Sequence, residues 1–395
     1  MLGVSGSIAA YKSAEIIRRL VDLGASVRVV MTKNATKFIS PLTLGTLSKG
    51  PVLIDEFQAG HGQGIGHIDA TESLDLALIA PATANIIGKI SAGIGDDALT
   101  SSVLAIDCPL LIAPAMNERM FMNPAVQRNL RLLIESGVRI LEPETGALAC
   151  GGRGCGRLAS IERIVEAVEG ALAPKNLTGI KVVVTAGPTR EPIDAVRFIS
   201  NPSSGRMGYA LASAAGDRGA EVVLISGPTH LRPPTGVRLR QVKTAREMLH
   251  AVMEEADSAK AVIMAAAVSD FRPRASSGRK IKKESADTML ELERTEDILL
   301  ELGKNKAGRV LVGFAAETDS VMENARRKME QKGLDLIVAN NILDIGAGFE
   351  ADTNKVTIIE NRGGIEELPV MPKTEVARRI IHKTAELLRK QGILP

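Results

Sequence analysis

A short apolar run that breaks into a glycine turn and then into a helical pattern occurs twice in this chain. The first run enters Gly3-Val-Ser-Gly-Ser-Ile-Ala-Ala-Tyr-Lys12 and continues as a helical pattern through Ile16, Ile17, Leu20 and Val21. The second is Lys181-Val-Val-Val-Thr-Ala-Gly-Pro-Thr189, followed by a glycine-rich loop at Ser203-Ser-Gly-Arg-Met-Gly208. Between them, Gly170 to Gly179 is a turn-rich connector. The expected domains are therefore 1–178 and 179–395. Each half alternates β-rich apolar runs with helical patterns. The runs are 27–31, 76–80 and 110–113 in the first half, and 182–185, 221–225, 261–265, 310–314 and 334–339 in the second. Near-continuous apolar strands joined by helices predict parallel sheets covered on both faces. Residues 374–389 predict a closing helix with Val376, Ile380 and Leu387 on one side. The expected class is α/β, two doubly wound parallel-sheet domains, with ligand loops at the carboxyl ends of the strands.

Composition excludes several functions. Hydrophobic residues at 45% and charged residues at 24% are those of an ordinary globular protein, not a disordered one. The longest apolar stretches, such as 76–82, fall short of the about 20 residues a membrane span needs. No charged-then-apolar leader pattern opens the sequence. Three cysteines cannot form a disulfide framework, so a reducing cytoplasm is the expected location. A net charge of +3, no Trp, two Tyr and seven Phe provide neither a basic field nor stacking platforms for nucleic acid.

The loops carry the chemistry. Gly3 to Ala10 joins a strand to a helix, where backbone N–H groups face an anion. Gly6 would let the backbone approach a phosphate and Ser7 adds a hydroxyl. The segment lacks the Gly-Lys-Ser/Thr and GxGxxG patterns, so a plain tight turn fits it as well. Pro81-Ala-Thr-Ala-Asn-Ile-Ile-Gly-Lys89 repeats the arrangement, with Thr83 and Asn85 as helix caps or ligand contacts. In Pro114-Ala-Met-Asn-Glu-Arg-Met120, Asn117 is an N-cap or a grip on a substrate amide or carboxylate. Thr145 to Gly156 is too glycine-rich for sheet or helix and reads as a mobile flap carrying Cys150, whereas Cys108 is expected to be a buried structural thiol in a regular element. Cys150 is either a catalytic thiol or one half of a metal or redox pair with Cys155. His61 and His67 lack the companion cysteines or carboxylates of a metal site.

Together these segments resemble the flavin-dependent cysteine decarboxylase family, which contains phosphopantothenoylcysteine decarboxylase. The resemblance covers about the first 175 residues. It implies a flavodoxin-like domain holding FMN against Gly6, Ser7, Ile8, Thr32, Thr83, Ala84, Asn85 and Ala115. It also implies His67 as a base, Asn117 as the substrate grip and Cys150 as a proton donor. The chemistry accounts for such residues, because a cysteine carboxylate has no adjacent electron sink. Oxidation of the thiol to a thioaldehyde creates one. Loss of carbon dioxide then leaves an enethiolate, whose reduction needs a proton donor. Phe121 stands where the family often has Trp.

In the second half, Asn201-Pro-Ser-Ser-Gly-Arg-Met-Gly208 combines hydroxyls, glycine amides and a guanidinium before a helix, an oxyanion cradle or an ordinary turn. Ala265-Ala-Ala-Val-Ser-Asp270 and Gly313-Phe-Ala-Ala-Glu-Thr318 put polar residues just after apolar strands. Lys280-Ile-Lys-Lys283 reads equally as a solvated charge run, and Lys328 and Lys332 as surface charge four apart on a helix.

As a set these segments resemble the phosphopantothenate–cysteine ligase family over nearly all of 180–395. The resemblance implies a Rossmann-like domain in which CTP activates the 4'-phosphopantothenate carboxylate as an acyl-cytidylate, which the cysteine amine then attacks. It implies a nucleotide site at Met264, Ala265, Ala266, Asp270, Lys280, Thr295, Glu296, Asp297, Ile298, Phe314, Lys328 and Lys332. Asn201 would hold the acyl-cytidylate, Lys280 would belong to a catalytic loop, and Mg2+ would accompany the CTP phosphates with Asp270 a possible contact. Thr295-Glu-Asp-Ile298 replaces the common Asn-Pro-Asp-Ile. The two halves thus match adjacent steps of coenzyme A synthesis, and the resemblance implies trimeric and dimeric contacts that build a dodecamer. Two rival readings are a flavin-plus-nicotinamide oxidoreductase, which has no use for Lys280, and a non-catalytic regulatory flavoprotein, which has no use for Cys150.

Overall fold

The computed structural model describes residues 1–55, 71–147, 153–282, 289–317, 320–341, 351–361 and 363–394. The chain divides into two units, Met1–Ala173 and Pro174–Pro395.

In the first unit the described strands are β1 (Leu2–Val4), β2 (Val29–Met31), β3 (Val52–Leu53), β4 (Ala77–Ala82), β5 (Leu110–Pro114) and β6 (Arg139–Ile140). They form one parallel sheet in the order β3-β2-β1-β4-β5-β6. Successive strand residues face opposite layers, which explains the continuous apolar runs. Leu78 and Ala80 pack with Ile16, Ile17, Leu44 and Ile164 on one face. Ala77 and Ile79 pack with Ile86, Leu99 and Leu130 on the other. The helices Ser13–Asp22 and Ile161–Leu172 therefore cover one side, and Ala84–Ser91, Ala98–Leu104 and Pro124–Glu135 the other. Strand order reverses between β1 and β4, the position where doubly wound sheets open a ligand crevice. The unit also contains an antiparallel pair, β7 (Glu144–Ala147) with β8 (Arg153–Arg157).

The second unit begins with β9 (Lys181–Ala186) and the small antiparallel pair β10 (Arg190–Pro192) and β11 (Phe198–Ser200). Then come β12 (Glu221–Ser226), β13 (Arg238–Gln241), β14 (Ala261–Met264) and a second antiparallel pair, β15 (Phe271–Pro273) with β16 (Leu292–Arg294). β17 (Val310–Glu317), β18 (Leu336–Asn341), β19 (Thr353–Glu360) and β20 (Ile365–Pro372) complete an eight-stranded sheet in the order β13-β12-β9-β14-β17-β18-β19-β20. Leu211 and Ala215 of helix Arg206–Asp217, with Val376, Ile380 and Leu388 of helix Lys373–Lys390, cover one face. Met248, Val252, Leu302, Ala325 and Met329 cover the other.

One edge of this sheet departs from the parallel pattern. β19 and β20 run antiparallel to their neighbours. They lie at the sheet's edge, where only alternate residues need be buried, so no continuous apolar run announces them. β20 carries Glu366, Glu367, Pro369 and Pro372, and only Leu368 on it is buried. On the last helix Leu388, not Leu387, is fully buried. Cys108 is also not a core thiol: it is half-buried in the turn before β5, and burial pushes the thiol up from its ordinary value. No described helix is long and apolar enough to cross a membrane.

Candidate functional site

The carboxyl ends of the first unit's strands bring its predicted cofactor contacts to one edge. Gly6, Ser7 and Ile8 follow β1, Thr32 follows β2, Thr83, Ala84 and Asn85 are at the end of β4, and Ala115 and Asn117 follow β5. Hydrogen bonds stitch these loops together. The Ser5 Oγ donates to the Pro81 carbonyl at 2.8 Å and accepts the Thr83 N–H at 3.0 Å. The Thr32 N–H donates to the Val4 carbonyl at 3.0 Å and the Ala115 N–H to the Ala82 carbonyl at 2.9 Å. Three of these side chains are caps: Ser7 accepts from Ala9 N–H, Thr83 from Ile86 N–H and Asn117 from Arg119 N–H. Asn85 does not cap; it lies exposed in the first turn of Ala84–Ser91. At Gly6 a Cβ would fall 2.6 Å from the Asn34 Cβ, so the close approach that requires glycine is to the loop after β2. Thr32 and Ala115 are buried, while the Ile8 side chain is 60% exposed. An exposed apolar side chain beside hydroxyl and amide groups fits a flavin, which has a planar apolar ring and a polar phosphate tail.

The glycine-rich segment pairs on both of its flanks, contrary to the reading that it forms no sheet. Backbone pairing needs no side chains. The Glu118 Oε1 accepts the Cys155 N–H at 3.1 Å, and the Met116 N–H donates to the Gly156 carbonyl at 2.9 Å. Glu118, which the sequence did not single out, thus ties β8 to the loop that bears Asn117. Cys150 and His67 lie outside the described residues, as does His61.

The second unit contains a cleft of about 870 Å³ at the carboxyl ends of β14, β17 and β18. Asn201, Met264, Ala265, Ala266, Asp270, Thr295, Glu296, Asp297, Ile298, Phe314, Lys328 and Lys332 all line it; Lys280 does not. The Lys328 Nζ donates to the Phe314 carbonyl at 2.7 Å. Burial, and then the charge of Lys332, hold its ammonium below the ordinary lysine value. Lys332 pairs with Asp297 at 2.7 Å. Burial pushes the Asp297 carboxyl up, but hydrogen bonds from Lys332 and the Leu300 N–H outweigh it and keep the group below its ordinary value. Thr295 is pinned by its N–H to the Asp270 carbonyl at 3.0 Å and its hydroxyl to the Ser269 carbonyl at 2.6 Å. The Asn201 Nδ2 donates to the carbonyls of Ala267 and Val268, at 3.3 and 3.2 Å, so this amide joins two walls of the cleft.

Helix Arg206–Asp217 opens into the cleft at its N-terminus and sits close against β9. A Cβ on Gly208 would fall 2.5 Å from the Ala186 Cβ and 2.6 Å from the Thr185 carbonyl oxygen. Lys373, buried and also lining the cleft, is held below its ordinary value by burial and then by Arg206. No sequence signal marks Lys373, because β19 and β20 bring it to the cleft. Arg206, Lys328, Lys332 and Lys373 make this a site for a polyanion. Among the described residues no cluster of three His, Cys, Asp or Glu side chains forms a resident metal centre.

The family model "Flavoprotein" matches residues 1–173, and "DNA/pantothenate metabolism flavoprotein C-terminal domain" matches 177–388. The chain is 48% identical over 396 residues to the coenzyme A biosynthesis bifunctional protein CoaBC of Bacillus subtilis (strain 168), covering 99% of this chain and 98% of that one. The CoaBC protein of Vibrio cholerae serotype O1 is 44% identical over 385 residues, covering 97% and 96%. A cysteine/cysteine sulfinic acid decarboxylase from an unknown prokaryotic organism is 48% identical over 357 residues, covering 89% and 99%.

Proposed function

The chain belongs to the family of coenzyme A biosynthesis bifunctional proteins, and from that premise we propose how its two units divide two successive reactions. Residues 179–395 ligate 4'-phosphopantothenate to cysteine, and residues 1–178 decarboxylate the product to 4'-phosphopantetheine. The observation that carries the reading is the cationic cleft, which gathers Asn201, Asp270 and the pair Lys328 and Lys332 from three separate stretches of chain.

In ligation, a carboxylate oxygen of phosphopantothenate attacks the α-phosphorus of CTP and pyrophosphate leaves. The cysteine amine then attacks the acyl carbon and CMP leaves. Lys328 and Lys332 offset the triphosphate charge, Asp270 would contact Mg2+ carried in by the CTP phosphates, and Asn201 holds the walls around the acyl-cytidylate. Lys280, exposed and outside the cleft lining, is assigned to the reacting groups as part of the catalytic loop. In decarboxylation, FMN supplies reversible two-electron oxidation of the substrate thiol. Ser7, Thr83 and Asn85 provide polar contacts to the cofactor, Ile8 an apolar one, and Asn117 grips the substrate carboxylate. His67 and Cys150 are assigned as base and proton donor. The chain works in the cytoplasm as a homo-oligomer, a dodecamer built from trimeric and dimeric contacts.

Relatives named as bifunctional proteins of coenzyme A biosynthesis, matched over nearly the whole length, disfavour the nicotinamide oxidoreductase and regulatory readings. A second reading, decarboxylation of free cysteine, draws on the 48% identical cysteine decarboxylase and has no use for the cationic cleft. Incubation with phosphopantothenate, cysteine, CTP and Mg2+ tests both, with pyrophosphate, amide mass and carbon dioxide followed separately. Amide formation that precedes carbon dioxide release is the expected result. Carbon dioxide from cysteine alone would favour the second reading, and neither product would sink the first.

A further inference from the structure

The geometry points to Asp194 as the positioning residue that fixes the Lys280 loop against the hairpin leading to Asn201. Asp194 is 4% exposed and lies in the turn between β10 and β11. Its Oδ1 accepts the Val196 and Arg197 N–H groups, both at 2.8 Å. Its Oδ2 accepts the Arg197 Nε at 3.0 Å, the Arg197 Nη2, and the Ile281 N–H at 3.1 Å. The same Arg197 Nη2 donates to the Ile281 carbonyl at 3.2 Å, and the Ser277 N–H donates to the Ile193 carbonyl at 3.0 Å.

One carboxylate thus organises two stretches of chain. On one side it closes the turn whose outgoing strand, β11, ends one residue before Asn201. On the other it holds the backbone of Ile281, the neighbour of the exposed Lys280. Charge-assisted hydrogen bonds to a buried carboxylate are among the stronger ones. The arrangement holds the carboxyl well below the ordinary carboxylate range, chiefly through the Arg197 side chain and then the backbone N–H donors. A surface charge run would not need such an anchor. A lysine that must meet a reacting phosphate does, because a misplacement of about 1 Å can cost about a hundredfold in rate.

The inference rests on the ligase reading, since only that reading gives Lys280 a reaction to serve. Asp194→Asn in the full chain keeps the side-chain shape and removes the charge. The expected result is a fall in ligation turnover of about tenfold or more, with KM for CTP little changed because Lys328 and Lys332 are untouched. Carbon dioxide release from supplied phosphopantothenoylcysteine should be unaltered. Asp194→Glu, which keeps the charge, should recover part of the turnover and serves as the second variant if Asp194→Asn folds poorly. The deciding measurement is the double variant with Lys280→Gln. If Asp194 acts through Lys280, the two losses are not additive. Additive losses, normal turnover in Asp194→Asn, or normal turnover in Lys280→Gln would each overturn the proposal. Amide hydrogen exchange over 277–282 reads the anchor without any activity: faster exchange in Asp194→Asn supports it, and unchanged exchange overturns it. An unsubstituted chain that forms no amide would instead sink the ligase reading, and the exchange result would still stand.

Discussion

An amide nitrogen has two hydrogens to give, and those of Asn201 lie against the carbonyl oxygens of Ala267 and Val268. Asn201→Asp replaces those donors by an anion facing two acceptors. Leaving such acceptors unsatisfied costs about 1–3 kcal/mol, so the variant should unfold at a lower temperature and form amide slowly. Carbon dioxide release from supplied phosphopantothenoylcysteine should persist. Separate assays of pyrophosphate, amide and carbon dioxide check this, and normal amide formation would leave Asn201 a turn residue. Lys328 supports a prediction in pH. Burial sets its folded pKa below the unfolded value, so its charged form opposes folding, and stability rises as pH climbs through the depressed value. A bound triphosphate favours the charged form, so binding should take up a proton. CTP affinity should therefore fall on the alkaline side while pH is still below the ordinary lysine value of about 10.4. Lys328→Arg, which does not titrate there, should flatten that limb in calorimetric titrations.

Glycine inside a helix usually costs up to about 1 kcal/mol against alanine, and helix Arg206–Asp217, with Gly208 in its first turn and Gly216 in its last, separates that rule from its exception. At Gly216 the nearest atom to an added Cβ is the Val237 Cγ2 at 3.9 Å, so Gly216→Ala should stabilise the second unit. At Gly208 the same methyl would press into β9, so Gly208→Ala should lose about 1–3 kcal/mol. Denaturant midpoints of the two variants should move in opposite directions. The helix–strand alternation that places these residues was legible because each central strand is buried on both faces and reads as an unbroken apolar run. The pairs β7–β8, β10–β11 and β15–β16 were not, since backbone pairing leaves little trace in side-chain polarity. Lys328 and Lys332 were assigned to the site only through the resemblance, since a spacing of four on a helix reads equally as surface charge. Glu118 and Lys373 were not legible, because each acquires its partners from a segment distant in sequence, and Asp194 was not because its local bonds to Val196 and Arg197 gain meaning only through the distant Ile281.

Each unit closes its own pair of hydrophobic clusters. A fragment of residues 1–178 should therefore fold alone, take up FMN and release carbon dioxide from phosphopantothenoylcysteine without nucleotide. Absorbance of the reconstituted fragment checks this, and a folded but colourless fragment would count against the assignment of the two activities. The far edge of the second sheet has a different consequence. An exposed edge strand is a template on which another chain's strand can add, the first step toward cross-β aggregation. β20 presents Pro369 and Pro372, which have no N–H to offer, beside the like charges of Glu366 and Glu367. An incoming strand finds gaps in the ladder and repulsion alongside them, so the antiparallel edge that brings Lys373 to the cleft also keeps the sheet from growing into its neighbours.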